Sequence, residues 1–162
     1  MIPAGPHRFD SLLGNSGETL DRLRASLEEA GCRYTQQRAA VYLLLEQSDA
    51  HPTAADVYQE VRSFLPTISL ATVYNALEAL AAAGLVTKLA SEDGSARFDA
   101  RREAHYHFRD AETGQIEDLP VQFDPELLDK LQPGLVEQLQ SRGITVTGYR
   151  LEVLGKRHDQ GE

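Results

Sequence analysis

The feature that most narrows the fold is a series of amphipathic segments between Leu20 and Ala83, opened by capping residues and closed by glycines or turns, with a hairpin pattern directly behind them. Leu20, Leu23, Leu27 and Ala30 follow helical spacing, and Gly31 stands where a left-handed residue ends a helix, so Glu18 to Ala30 is predicted helical. Thr35 can cap a second helix, Gln36 to Gln47, whose run Ala39, Ala40, Val41, Leu43, Leu44 and Leu45 makes it largely buried. A third starts after Thr53, with Asp56 placed for a capping box, and runs to about Phe64. The turn Leu65-Pro66-Thr67-Ile68 leads to Ser69, the cap of a fourth helix with Leu70, Val73, Leu77 and Leu80 as its apolar stripe and Gly84 as its stop. Leu85 to Ala90, the turn Ser91-Glu92-Asp93-Gly94, and Ser95 to Asp99 read as a β-hairpin. Helices followed by a hairpin outline a winged helix-turn-helix over residues 18–99.

A second texture begins after a short hinge at residues 100–103. Ala104 to Arg109 and Gln115 to Leu119 read as strands around the turn at 110–114. Asp124 caps and Pro125 opens a helix that Pro133-Gly134 interrupts before Leu135 to Ser141 resume. The last stretch, from Ile144 to Lys156, alternates as a strand does but slips phase at Gly148, which predicts a bulge. The class is therefore α+β: a winged-helix DNA-binding domain followed by a small α/β dimerisation domain over residues 104–157. Two or three strands cannot hide both of their edges, so pairing between two copies is the expected solution. Residues 1–17, rich in Gly, Pro and small polar types, predict a flexible tail, and 158–162 a second, shorter one.

Composition bounds the function. No window approaches the roughly 18 apolar residues of a membrane span, and a lone Cys32 cannot close an intrachain disulfide, so a cytoplasmic protein without a membrane partner is expected. The net charge of -9 excludes indiscriminate nucleic-acid binding. Any DNA contact must come from a few well-placed groups. Thr72, Tyr74 and Asn75 occupy the first turn and a half of the fourth helix, where a helix-turn-helix reads bases or phosphates, and Arg38 near the start of the second can pair with phosphate. Periodicity alone equally allows an ordinary amphipathic helix, and the hairpin behind it favours double-stranded DNA.

His51, Asp99, His105, His107 and Asp118 form the other candidate constellation. On a strand, His105 and His107 would point to one face and converge on one ion. Three imidazoles and two carboxylates suit Mn²⁺ or Fe²⁺, accommodate Zn²⁺, and suit soft-ligand clusters poorly. Each residue also has an ordinary reading as a turn, cap or solvated group. Their placement around the hinge, two before it and three after, favours the metal.

The chain resembles the ferric uptake regulator family of metal-dependent repressors. The resemblance rests on Ala30-Gly31-Cys32-Arg33-Tyr34-Thr35-Gln36-Gln37-Arg38, Ala50 to Tyr58, Ser69-Leu70-Ala71-Thr72-Val73-Tyr74-Asn75, Ala83-Gly84-Leu85-Val86, Arg97-Phe98-Asp99, His105-Tyr106-His107 and Ile116-Glu117-Asp118, in that order. It covers about Leu20 to Arg157. It implies a homodimer that metal ligation locks in its DNA-binding shape. Aspartates at 99 and 118 resemble the peroxide-responsive branch, in which Fe²⁺ and peroxide convert a histidine ligand to 2-oxo-histidine; the matching positions are His51 and His105.

Several positions depart from the family pattern. Gln36 stands where proline is usual, a change that affects only a helix start. Asp110, Thr113, Arg157 and Gln160 occupy the places of two CxxC pairs, so a structural tetrathiolate zinc site cannot form. Tyr149 replaces a histidine of a further metal site found in iron-uptake members. Ala104 interrupts the three-histidine run of haem-linked iron-response regulators.

The expectation is a metal-dependent, peroxide-sensing transcriptional repressor of operator DNA that is not an enzyme. The alternatives are an iron- or manganese-responsive regulator without peroxide sensing, and a small non-haem metalloenzyme using an open coordination position.

Overall fold

The computed structural model describes residues 16–90 and 94–158, so the predicted hairpin turn at Ser91-Glu92-Asp93 and most of both predicted tails lie outside the described residues. The chain divides into two compact units between Arg102 and Glu103.

The first unit is a helical core with a two-stranded wing. Helix α1 spans Gly17–Glu29 and buries Leu23 and Leu27. It stops because Gly31 takes φ 71°, and the Cys32 amide then reaches back to the Leu27 carbonyl at 2.7 Å. Helix α2, Gln36–Glu46, has Thr35 as its cap, whose hydroxyl accepts from the Arg38 amide, and every residue from Ala39 to Leu45 is buried. Helix α3, Ala54–Val61, opens on a full capping box between Thr53 and Asp56. It ends at Val61 rather than at Phe64, since Phe64 turns inward on a tight bend whose amide bonds to the Val61 carbonyl at 3.1 Å. Helix α4, Leu70–Ala82, is capped by Ser69 and buries Val73, Ala76, Leu77, Ala79 and Leu80. Gly84 at φ 68° ends it and turns the chain into the wing.

The wing consists of β1, Thr87–Ala90, and β2, Ala96–Asp99, antiparallel with Thr87 opposite Asp99. A bridge, Thr53 to Arg97, and the bond from the Phe98 amide to the Pro52 carbonyl at 3.0 Å fasten β2 to the entrance of α3. Phe98, 2 % exposed, then joins the core formed by the four helices.

The second unit holds a three-stranded sheet in the order β4-β3-β5. Strand β3, His107–Asp110, pairs antiparallel with β4, Ile116–Asp118, and parallel with β5, Glu152–Gly155. The strand predicted from Ala104 starts only at His107, so His105 precedes it and its alignment with His107 is not a strand's alternation. The predicted final strand from Ile144 shrinks to β5. A four-residue β3 offers a ladder only to Glu152–Gly155, residues 144–150 outrun it, and no bulge forms at Gly148 because no ladder exists there to interrupt. Helix α5, Leu127–Leu131, begins two residues later than Pro125, because the Asp124 carboxylate accepts from the Glu126 amide at 3.0 Å and makes a turn first. Helix α6, Leu135–Ser141, follows the interruption at Pro133-Gly134. Neither helix has a buried residue.

Candidate metal centre and nucleic-acid interface

In the first unit, wing and helix entrance place one imidazole against one carboxylate. The antiparallel bridge pairs Thr53 with Arg97, and continuing its register by two residues brings His51 opposite Asp99. His51 Nδ1 lies 3.8 Å from Asp99 Oδ1, with side-chain exposures of 2 % and 6 %. Arg97 holds the segment by donating from Nη1 to the His51 carbonyl at 3.1 Å, and Asp99 Oδ1 accepts from the Arg101 amide at 2.7 Å. Pro52 cannot donate to a ladder, yet its carbonyl accepts from Phe98, so the proline leaves the register intact.

In the second unit, the β3–β4 register sets His107 opposite Asp118. His105 Nε2 lies 3.0 Å and His107 Nε2 3.8 Å from the same oxygen, Asp118 Oδ1. The two rings stand edge to face, 4.5 Å between centroids at 73°. His105 Nδ1 sits 2.7 Å from the Glu103 carbonyl, so with Nδ1–H donating there its Nε2 lone pair points toward Asp118. That is the outer-shell arrangement that orients an imidazole as a ligand, and it fits the residues to a divalent first-row ion.

Each unit thus assembles its own share of the predicted set: His51 with Asp99, and His105 with His107 and Asp118. The sequence reading missed what steadies them. Arg97 and the Glu103 carbonyl gave no local signal, since both act through contacts that only the fold creates. A hydroxyl network was missed as well. Tyr106 Oη contacts Tyr149 Oη at 2.8 Å and accepts from the Asp124 amide at 2.9 Å, and Tyr149 donates to the Asp124 carbonyl. Phe123 stacks on the Tyr149 ring at 5.0 Å. Burial, followed by the bond to Tyr106, pushes the Tyr149 phenol up to about 12, so it remains a neutral donor. Tyr106, between the two histidines in sequence, thereby anchors their segment.

Of the residues expected to contact DNA, Tyr74 is 50 % exposed and Asn75 is also exposed, both on the outer face of α4. Thr72 is half-buried, its hydroxyl 2.8 Å from that of Ser69, and belongs to the helix cap. Arg38 lies in the first turn of α2, its guanidinium donating to the Arg33 carbonyl.

A winged helix followed by a small α/β unit, with imidazoles and carboxylates gathered in each, defines a class of winged-helix regulators bearing metal-ligand side chains. The chain belongs to the ferric uptake regulator family, whose model matches residues 29–154; this is a family of transcriptional regulators, not enzymes. It is 38 % identical over 138 residues to the peroxide-responsive repressor PerR of Staphylococcus epidermidis, covering 84 % of this chain and 86 % of that one. It is 40 % identical over 134 residues to the peroxide operon regulator of Bacillus subtilis, covering 80 % and 85 %. Among solved structures, a zinc-bound manganese uptake regulator matches with a TM-score of 0.60 at 28 % identity, over 84 % of this chain and 98 % of that one.

Proposed function

We propose that the protein is a homodimeric repressor whose DNA-binding form is held by one Mn²⁺ or Fe²⁺ ion, bound by His51 and Asp99 together with His105, His107 and Asp118. The observation that carries this reading is the convergence of two imidazole nitrogens on one Asp118 oxygen beside a tautomer-fixing carbonyl. The relatives named for peroxide response support the sensing chemistry.

His51 and Asp99 are built into the entrance of α3 and the end of the wing, so their engagement sets the pose of the DNA-reading unit. The other three ligands belong to the sheet of the second unit. Ligation of one ion by both sets couples metal binding to domain arrangement, and the coupling is reciprocal. When bound, Fe²⁺ supplies the electrons that cleave the O–O bond of hydrogen peroxide. By the family resemblance, His51 and His105 are the rings that would take up one oxygen, and an oxidised ring would no longer ligate. DNA would be released with the metal.

Dimerisation is assigned to the second unit. No residue of its helices is fully buried, and Val121, Leu131, Val153 and Leu154 are exposed by 55, 70, 45 and 63 %, apolar side chains of the kind a second copy covers. Among the described residues no helix is long and apolar enough to cross a membrane, and operator DNA as partner implies a cytoplasmic site of action.

Gel-shift titration against promoter DNA with Mn²⁺, Fe²⁺ or chelator tests the reading. Binding should require metal and be lost in His107→Ala; binding indifferent to both would sink it. A gain of one oxygen on the His51 or His105 peptide after Fe²⁺ and peroxide is the expected mark of sensing. Its absence would leave a manganese- or iron-responsive regulator.

A further inference from the structure

The face that α4 turns to solvent has one charge, and it is negative. Ala71, Tyr74, Asn75 and Glu78 are all exposed, while Val73, Ala76, Leu77, Ala79 and Leu80 are buried. The exposed four have the spacing i, i+3, i+4, i+7, a single stripe along the helix and the spacing by which a homeodomain helix reads successive bases in a major groove. No lysine or arginine lies on it. Glu78 extends the stripe to the third turn, and its Oε1 is 2.8 Å from Nζ of Lys88 on the wing strand β1, with side-chain exposures of 60 % and 50 %.

An ion pair this exposed contributes little to folding. A carboxylate on the surface that meets a polyanion is also unfavourable unless it finds a donor there. Major-groove edges supply such donors selectively. Cytosine presents only its N4 amino group, to which a carboxylate bonds, whereas guanine presents N7 and O6 and thymine presents O4, all of which repel it. Adenine offers N6–H but sets the acceptor N7 beside it. Tyr74 and Asn75 offer aromatic contact and amide pairing on the same stripe, so Glu78 adds a discrimination they lack.

We infer that Glu78 is a specificity-determining residue that accepts a hydrogen bond from cytosine N4 at one position of each half-site, with Lys88 holding its carboxylate extended from the wing side. Lys88 would also donate to the adjacent phosphate, which offsets the repulsion between Glu78 and the backbone. This rests on the reading of α4 as the DNA-contacting helix, and the test separates the two.

The experiment is selection from a random duplex library by the full-length, Mn²⁺-loaded protein, comparing wild type with E78Q, E78A and K88M. Wild type should enrich a motif with cytosine fixed at one position per half-site. E78A should lose that preference, by about ten-fold or more against the other bases, and leave the rest of the motif unchanged. E78Q should move the same position toward adenine, because an amide pairs with N6 and N7. K88M should weaken binding to all sequences through the lost phosphate contact and should also reduce the cytosine preference, by less than E78A does, because the Glu78 carboxylate loses the group that holds it. If wild type enriches a motif and the Glu78 variants enrich the same one, the role of Glu78 is overturned. If wild type enriches no motif, the DNA reading itself fails and takes this inference with it. Glu78 is exposed, so its variants keep the fold, which an unchanged circular dichroism spectrum and metal content verify.

Discussion

On one side of Arg102 a continuous core runs from Leu23 through Leu43, Leu77 and Leu80 to Phe98, each at most 2 % exposed; on the other, Tyr106 and Ile116 are the only apolar residues among those described that are buried. The first unit is held by area removed from water. The second relies on directional bonds: the Arg109 guanidinium grips Glu152 with two contacts of 3.0 Å, the Tyr106 and Tyr149 hydroxyls share a network with Asp124, and Lys156 and Arg157 pair with Glu112 and Glu117. The difference teaches where each unit's stability comes from. A core of close-packed aliphatic side chains is held by burial, whereas a sheet and two helices without a fully buried helical residue lean more on polar registry.

The largest effect that would sharpen this contrast is a cavity in the first unit. Leu77→Ala removes a fully buried side chain from the centre of the stripe by which α4 meets the other helices, and should cost about 2–5 kcal/mol. Denaturant unfolding followed by circular dichroism measures it. Leu131→Ala, at 70 % exposed, should change the unfolding of the isolated chain by less than about 0.5 kcal/mol while weakening self-association measured by sedimentation. Equal costs for the two would break the comparison.

A smaller effect is expected where the second unit is packed tightly at a single point. A Cβ added at Gly155 would lie 2.9 Å from a ring carbon of Phe108, the side chain beside it on β3. The glycine is required there for space, not for backbone conformation, as its φ is ordinary. Gly155→Ala should destabilise by about 1–3 kcal/mol through overpacking. Adding Phe108→Leu should recover much of that loss in thermal unfolding, because the two changes share one contact. Additive losses would mean that the strand pair is not limited by this contact.

What the sequence made legible follows the same division. Capping is local, so Thr35, Thr53 and Ser69 announced the starts of α2, α3 and α4, and the glycines at 31 and 84 announced where α1 and α4 stop. The wing was readable as a hairpin, and its outcome as β1 and β2 differs only at the ends. The contact of His51 with Asp99 was not readable, because it depends on an isolated bridge between segments far apart in sequence. In the second unit, alternation overstated the strands. A strand exists only where a partner lies alongside, and alternation from Ile144 onward reports a surface suited to pairing, not the pairing itself. His105 shows the same limit: the predicted strand geometry is absent at that residue, yet a carbonyl behind Nδ1 and Asp118 ahead of Nε2 bring its ring to the same oxygen as His107.

The smallest expected effect concerns pH and isolates the polar logic of the second unit. Asp110 ends β3, where the family pattern has a thiol, and its Oδ1 accepts from the Glu112 amide at 2.8 Å and the Thr113 amide at 3.2 Å. These backbone bonds, with Arg157 nearby, hold its carboxyl below the ordinary value of 3.8. Asp124 is lowered too, first by its bond from Lys130 and then by the Glu126 amide. A group whose pKa is depressed by folding contributes stability that is complete above its unfolded value and lost as pH falls through the folded one. The second unit should therefore weaken below about pH 4, while the aliphatic core of the first carries no such dependence. Asp110→Asn keeps an acceptor for the two amides but cannot titrate, so its unfolding curve should run flatter than wild type through this acid range and lie slightly below it at neutral pH. Urea midpoints taken at intervals from pH 7 to pH 3 provide the measurement. A wild-type and variant pair with parallel acid limbs would show that Asp110 does not set the acid stability of its unit, and that the turn at the end of β3 is held by its backbone bonds alone.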